Sequence, residues 1–528
     1  MEVNKDVKAN GLDKRPSFGT LIQVSGSTLA TMVSGKPKPP EDSTTQDIAH
    51  ECQHLMADRI SSLPDEILVH ILGFLLMKDA VATSVLSRGW RNLWKSLTTF
   101  KFDPVNKLGV YNRDIITLKS RVKQSRMQSY ANWVNEVLQQ LQHLRNVEEF
   151  WICSDFCENG APYFDHWIAF AVEKKVRILN INLADDDGYC SEWKRCSFPT
   201  LSLSKEKASS VIQLSLRGVE ICSPGFNIFT SLTSLTLTCL ILTGDVCETA
   251  FSNCPLLEHL HIRVAYNLVN LKLVGSGLSR LKFLELYYCN HLKNVEIYAP
   301  NLVSFKYAGL KTHFAFKYVP KLVEARFGAC SYYCNYELIK GGYNLISYAF
   351  SQLDSICTHF ESLVLETNTM EVEGMSPQLC PTFISLKVLI LFVDATCVNC
   401  IGLPSFLEAC PVLSKFEVHI NVHDTSIELK SRDQLSKASL SPHRFLKEIE
   451  LSGFLHFLDQ SYEMELVQYL VKTAVSLQKL TIITRAKCLQ MDSDKIVWSK
   501  RKEEMQNARE RAKQLCTELL PMAEVIVL

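Results

Sequence analysis

The sequence predicts an α/β chain in three parts: a small three-helix domain, an irregular solenoid on a parallel sheet, and a closing α/β module. Three observations carry this. A dense apolar helical pattern runs from Asp58 to Trp94, a Leu-x-x-Leu-x-Leu unit recurs from about Val211, and that period breaks after about Pro442. At 528 residues and 47% hydrophobic, the chain is long enough for a large core and more than one domain. The spans expected are a polar tail over 1–57, the helical domain over 58–100, a bridging segment over 101–200, repeats over 201–440 and the closing module over 441–528.

Leu63-Pro64-Asp65-Glu66 reads as a helix start, because proline sits where a missing N–H costs nothing and two carboxylates follow in the first turn. Ile67, Leu68, Ile71, Leu72 and Leu75 then recur at helical spacing. Gly73 interrupts, Asp79 is placed to cap a helix over 80–86, and Ser87 to cap a third carrying Trp90, Leu93 and Trp94. About 40 residues cannot bury this much apolar surface internally, so the excess points to a protein partner. The stretch resembles the F-box of plant F-box proteins through Leu63-Pro64, Glu66-Ile67-Leu68, Ile71-Leu72, Leu75, Asp79-Ala80-Val81, Thr83 to Arg88, Trp90-Arg91 and Leu93-Trp94. Gly89 departs from it, standing where a basic residue is usual. The resemblance implies docking of a Skp-type adaptor, and through it a cullin, by Leu63, Pro64, Ile67, Leu68, Ile71, Leu72, Leu75, Trp90 and Leu93, some of them internal to the three-helix core.

From Val211 the unit is Val211-x-x-Leu214-x-Leu216, then copies led by Leu232, Leu257, Leu268, Leu281, Leu292 and Leu302, and later by Phe360, Leu386 and Leu413. Asn253-Cys254-Pro255 and Ala409-Cys410-Pro411 give two copies a shared lead-in. A period of roughly 20–29 residues is that of leucine-rich repeats, one strand per repeat in a parallel sheet. The tight copies leave no room for a helix, so they predict loop-only returns and an irregular arc. Residues interleaved with the buried leucines point to the open face. Among them Arg217, His261, Arg263, Glu285, Tyr287 and Tyr298, with Ser215, Thr236, Thr238, Lys272 and Glu296, are candidate contacts for a target.

Asn112 to Phe150 reads mostly helical, with Trp133, Val134, Val137, Leu138 and Leu141 on one face and a first strand over 147–152. In plant F-box/leucine-rich-repeat proteins such a segment caps the solenoid. After Pro442 the pattern gives a strand over 442–454, a helix over Glu463 to Ala474, a strand over Ser476 to Ile482, a charged helix over Lys500 to Leu519 and a last strand over Ala523 to Leu528. This portion resembles the FBD module of the same family.

Lys+Arg and Asp+Glu are equal at 56 each, so no global field recruits nucleic acid or an anionic membrane. Nineteen scattered cysteines, many on apolar runs (Cys239, Cys254, Cys289, Cys410), and no Asn-X-Ser/Thr acceptor fit a reducing compartment, cytoplasmic or nuclear. Leu21 to Val33 is too interrupted by polar residues for a secretory signal, and Ile67 to Met77 is too short to span a bilayer. His50-Glu51-Cys52-Gln53-His54 spells a zinc-protease pattern, but it lies in a polar tail, and Ala57 and Ile60 stand where the extended motif needs Gly and His. Cys397-Val-Asn-Cys400 is a lone pair. No cofactor and no catalysis are expected. The resemblance implies the substrate-recognition subunit of a Skp–cullin–F-box ubiquitin ligase holding a protein target on its repeats. The alternatives are an interaction scaffold, a small-molecule-dependent receptor, or a metalloprotease.

Overall fold

The computed structural model describes residues 60–103, 120–153, 161–183, 196–198, 203–221, 228–242, 251, 254–329, 345–356, 358–367, 382–394, 407–421, 441–453, 460–484, 487–490, 495–498 and 524–528. The tail, the His50–His54 motif, the Cys397–Cys400 pair and the helix expected after Lys500 lie outside these residues. The chain divides into Met1–Pro64 and Asp65–Leu528. Of the first unit, 60–64 form a turn in which the Leu63 N–H donates to the Ile60 carbonyl at 3.0 Å.

The second unit opens with α1 (Asp65–Gly73) and α2 (Met77–Ala82). Asp65 and Glu66 occupy the first turn of α1, where the dipole favours them. Asp79 does not cap: α2 starts earlier, after Leu76, and takes Asp79 into its first turn instead. A 3₁₀ turn, Thr83–Val85, leads to a longer one, Trp90–Ser96, whose first N–H is met by Ser87 Oγ at 3.4 Å. Gly89 has a helical φ of −64° and is exposed, so the departure at this position strains nothing. Leu68, Leu72, Met77, Ala80, Trp90, Leu93, Trp94 and Leu97 are the buried side chains.

Among the described residues the main sheet has seventeen parallel strands, two of them the short segments Cys196–Ser197 and Val219–Glu220. The other fifteen follow in chain order: β1 (Thr99–Phe102), β2 (Glu149–Cys153), β3 (Ile178–Asn182), β4 (Gln213–Arg217), β5 (Ser234–Ile241), β6 (His259–Tyr266), β8 (Phe283–Tyr287), β10 (Ser304–Gly309), β12 (Glu324–Ala329), β13 (Ser362–Thr367), β14 (Val388–Asp394), β15 (Lys415–Asn421), β16 (Glu448–Ser452), β17 (Lys479–Ile483) and β20 (Glu524–Val527). Strands β18 (Lys487–Gln490) and β19 (Lys495–Trp498) form a separate antiparallel pair. The repeats therefore begin before Val211. The strand expected at 147–152 is the second, and β1 precedes it. Helices α3 (Ser120–Gln140) and α4 (Ala161–Glu173) come from the bridging segment, with Val134, Val137, Leu138 and Leu141 buried as their spacing predicts. The expected C-terminal helix is α5 (Gln460–Thr473), and β16, β17 and β20 continue the same ladder.

The register stacks like on like. Leu214, Leu235, Leu260, Leu284 and Phe305 are partners in line, all buried, and so are Leu216, Leu237, Ile262, Leu286 and Tyr307. Entry to these strands is also repeated. The Leu257, Leu302, Leu322 and Leu413 N–H groups donate to the carbonyls of Cys254, Ala299, Val319 and Cys410, each three residues back. In all four turns the next residue is proline (Pro255, Pro300, Pro320, Pro411), whose fixed φ suits the second turn position.

The tight copies correct one expectation. Leu268-x-x-Leu271-x-Leu273 and Leu292-x-x-Val295-x-Ile297 build a separate parallel sheet, β7 (Asn270–Leu273), β9 (Asn294–Tyr298) and β11 (His313–Tyr318). Here the chain alternates between two sheets, so one turn of about 20–24 residues carries two strands and no helix. At the C-terminal ends of main-sheet strands, Gly218, Cys239, Val264 and Tyr288 share one offset from the ladder and all have φ between 52° and 75°. Because neighbouring strands bulge at the same level, pairing of β5 with β6 resumes beyond the kink, Leu240 with Ala265.

No described helix is long and apolar enough to cross a membrane. Cys239, Cys254, Cys289 and Cys410 are buried, and burial pushes the Cys254 and Cys289 thiols up to about 12.

Candidate functional site

Helix α1 is apolar on two adjacent stripes, and the structure buries one. Leu68 and Leu72, one turn apart, enter the core, whereas Ile67 and Ile71, also one turn apart, remain 47% and 38% exposed. Beyond the helix end Leu75 is half-buried and Phe74 is 79% exposed, its ring edge-on to His70 at 5.0 Å. Val85 and Leu86 are exposed too, Val85 at 87%. Five large apolar side chains within 20 residues, Ile67, Ile71, Phe74, Val85 and Leu86, thus face solvent.

The expected adaptor contacts therefore divide. Ile67 and Ile71 are surface residues, and Leu63 and Pro64, in the first unit, are exposed. Leu68, Leu72, Trp90 and Leu93 are core residues, a correction with a simple cause: one helical periodicity describes both stripes, and the third helical turn must insert Trp90, Leu93 and Trp94 to close so small a core. Phe74, Val85 and Leu86 are exposed apolar side chains that the sequence did not single out as contacts. Their only signal in the sequence is that they are apolar positions left over once the core is full.

The second surface is the open face of the main sheet. Ser215, Thr236, His261 and Glu285 share one row, and Arg217, Thr238, Arg263 and Tyr287 the next, as alternation predicts. Glu285 is gripped from both sides: His261 Nδ1 lies 2.9 Å from Oε2 and Lys306 Nζ 3.1 Å from Oε1. Burial by itself would raise its pKa, but the His261 hydrogen bond and the Lys306 charge outweigh this and pull it down to about 2. Arg263 lies over the Tyr288 ring at 5.6 Å, and Tyr287 meets His261 edge-on at 5.3 Å.

Four expected target contacts are corrected: Tyr287, Tyr298, Lys272 and Glu296. Tyr287 is 1% exposed, packed with Tyr288 and Ala308 on the sheet surface. Tyr298 lies on the second sheet, stacked on Tyr318 at 5.3 Å, as Lys272 and Glu296 do on their strands. The alternation rule gives in or out for each strand, but not which of two sheets a strand joins. Open-face groups the sequence did not single out are Lys306, the buried pair Arg326–Glu366 at 3.3 Å, and a cluster of Lys415, Glu417, His419, Glu450 and Ser452. Lys306, Glu366, Lys415, Glu417 and His419 occupy interleaved positions of repeats legible in the sequence, whereas Arg326 is on a strand outside the recognised copies and Glu450 and Ser452 are on a strand assigned to the closing module.

The Glu285 bracket makes a prediction. A carboxylate held well below its unfolded value stabilises the fold above about pH 4.5, and that contribution is lost as pH falls towards about 2. Glu285→Gln should flatten acid unfolding in this window by on the order of 1–2 kcal/mol, discounted for the partial exposure of the pair. Urea titrations at pH 5 and pH 2.5 check it; equal pH dependence in both proteins would refute the bracket.

Comparison with known proteins agrees with this architecture. The family described as "At1g61320/AtMIF1, LRR domain" matches residues 142–519, and the F-box domain matches residues 60–102. Similar proteins of Arabidopsis thaliana include F-box/FBD/LRR-repeat protein At1g78750, 27% identical over 80% of this chain and 89% of its own length. F-box/LRR-repeat protein 13 is 28% identical over the same shares, and F-box/LRR-repeat protein At3g26922 is 30% identical over 54% of this chain and 86% of its own length. A three-helix N-terminal domain with one apolar stripe exposed, on a chain whose remaining strands form a leucine-ladder sheet, belongs to the F-box/leucine-rich-repeat family.

Proposed function

We propose that this chain is the substrate-recognition subunit of a Skp–cullin–F-box ubiquitin ligase, docking a Skp-type adaptor through its F-box and a protein target through the open face of its repeats. It performs no chemistry in this reading. It raises the local concentration of a target beside the conjugating enzyme, in the cytoplasm or nucleus. The observation that carries it is the exposed apolar set of Ile67, Ile71 and Phe74 on an otherwise well-packed F-box. The mixed charges of the open face, Arg217, His261, Arg263, Glu285 and Lys306, suit a protein surface better than a polyanion.

The test separates surface from core. Ile71→Glu combined with Phe74→Glu should weaken capture of purified adaptor at least ~100-fold, about 2.7 kcal/mol, because two charges would be buried against an apolar partner. The melting temperature should barely move, since both positions face water. Adaptor binding at wild-type strength by this variant would refute the assignment of the face.

A further inference from the structure

On the open face of β15 and β16, Glu417, His419 and Glu450 bring ligand atoms to within 4.8 Å of one another. We propose that these three side chains form a binding site for a divalent transition-metal ion of the zinc class, separate from the F-box and independent of adaptor docking.

The geometry is that of a held histidine. Ser452 Oγ lies 2.7 Å from His419 Nδ1, and Glu417 Oε2 lies 2.9 Å from Nε2. A carboxylate only accepts, so Nε2 carries the proton facing Glu417. When a cation takes the Nε2 lone pair, the single ring proton moves to Nδ1 and is donated to Ser452, whose hydroxyl turns its own proton away; this is the outer hydrogen bond that fixes ring orientation in metal sites. His419 is 1% exposed and Phe392 packs on its ring at 4.6 Å, so the imidazole is immobilised. Lys415 Nζ grips Glu417 at the other oxygen, Oε1, at 2.7 Å, which leaves Oε2 turned to the site.

Charge gives a second reason. Glu417 and Glu450 are register partners on adjacent strands. Like charges placed directly opposite are unfavourable; Lys415 offsets part of this with one ammonium at Glu417 Oε1, and a dication at Oε2 would offset the rest. Zinc bound by imidazole nitrogen and carboxylate oxygen at about 2.0–2.2 Å puts its ligand atoms roughly 3.4 Å apart, within reach of this set by small side-chain rotations. One imidazole and two carboxylates match the borderline dications and leave coordination positions open, for water or for a side chain of a bound target.

The experiment uses the full chain, stripped by chelator under reducing conditions and titrated with Zn²⁺ by calorimetry. Co²⁺ spectra distinguish nitrogen/oxygen ligation from binding by cysteine thiolates. The wild type should take up one more equivalent than Glu450→Gln. Ser452→Ala should weaken that equivalent about 10–100-fold, as loss of an outer hydrogen bond does. Glu450 is only half-buried, so its amide variant keeps the fold, and an unchanged metal-free melting curve verifies this. If wild type and Glu450→Gln take up equal zinc with equal affinity, or the extra cobalt shows only thiolate ligation, the proposal fails and the cluster is a closed polar network.

Discussion

Leu284→Asp is expected to unfold the middle of the repeat sheet. Leu284 is fully buried between Leu260 and Phe305 in the in-register ladder, with no polar group of its own row to receive a carboxylate. The variant loses the packing of a core leucine, about 2–5 kcal/mol, and adds the cost of burying a carboxyl without partners, about another 1–3 kcal/mol. The total approaches the net stability of an ordinary domain, roughly 5–15 kcal/mol. Repeats touch mainly their neighbours, so loss of amide-exchange protection should centre on β6, β8 and β10 and weaken with distance. Leu284→Ala should show the same pattern at reduced size. His261→Ala, one residue past Leu260 on the open face, should shift stability by only about 0.5–1 kcal/mol. Uniform loss of protection along the whole sheet would contradict nearest-neighbour burial.

Arg326→Ala should be nearly as damaging, for an electrostatic reason. Arg326 and Glu366 are both buried on adjacent strands, and Arg326 Nη2 lies 3.3 Å from Glu366 Oε2. Burial pushes the Glu366 carboxyl above its usual range, and the Arg326 guanidinium only partly offsets this. Removing the arginine strands a buried carboxylate, at a cost of about 3–5 kcal/mol near pH 7. The sign of the pH dependence follows. An acid whose folded pKa is raised loses stability as pH rises through its unfolded value and towards the folded one. The deficit of Arg326→Ala should therefore shrink between pH 7 and pH 5, above the window in which Glu285 titrates. Arg326→Met with Glu366→Leu should recover most of the loss at pH 7, since an apolar pair replaces a buried ionic one with little change. Urea unfolding of the three proteins at both pH values decides the matter; a single variant within 1 kcal/mol of wild type would show that water reaches Glu366.

The parts legible in the sequence are those with a local cause. Asp65-Glu66 behind Pro64, the 3.6-residue recurrence in α1 and α3, the shared Cys-Pro lead-ins before Leu257 and Leu413, and the Leu-x-x-Leu-x-Leu strands each depend on a few adjacent residues, and local pattern alone determined them. The same alternation placed Arg217, His261, Arg263 and Glu285 on the open face. Only the tertiary structure decided which of two apolar stripes on α1 is core, because Leu68 and Ile67 differ in neighbours and not in chemistry. It also decided that the copies led by Leu268 and Leu292 form a second sheet, which moved Tyr298 away from His261, since a strand's pattern says nothing of the strand it pairs with. The Glu417–His419–Ser452 and Arg326–Glu366 groupings join residues 33 and 40 positions apart across strands, and no local pattern encodes such separations.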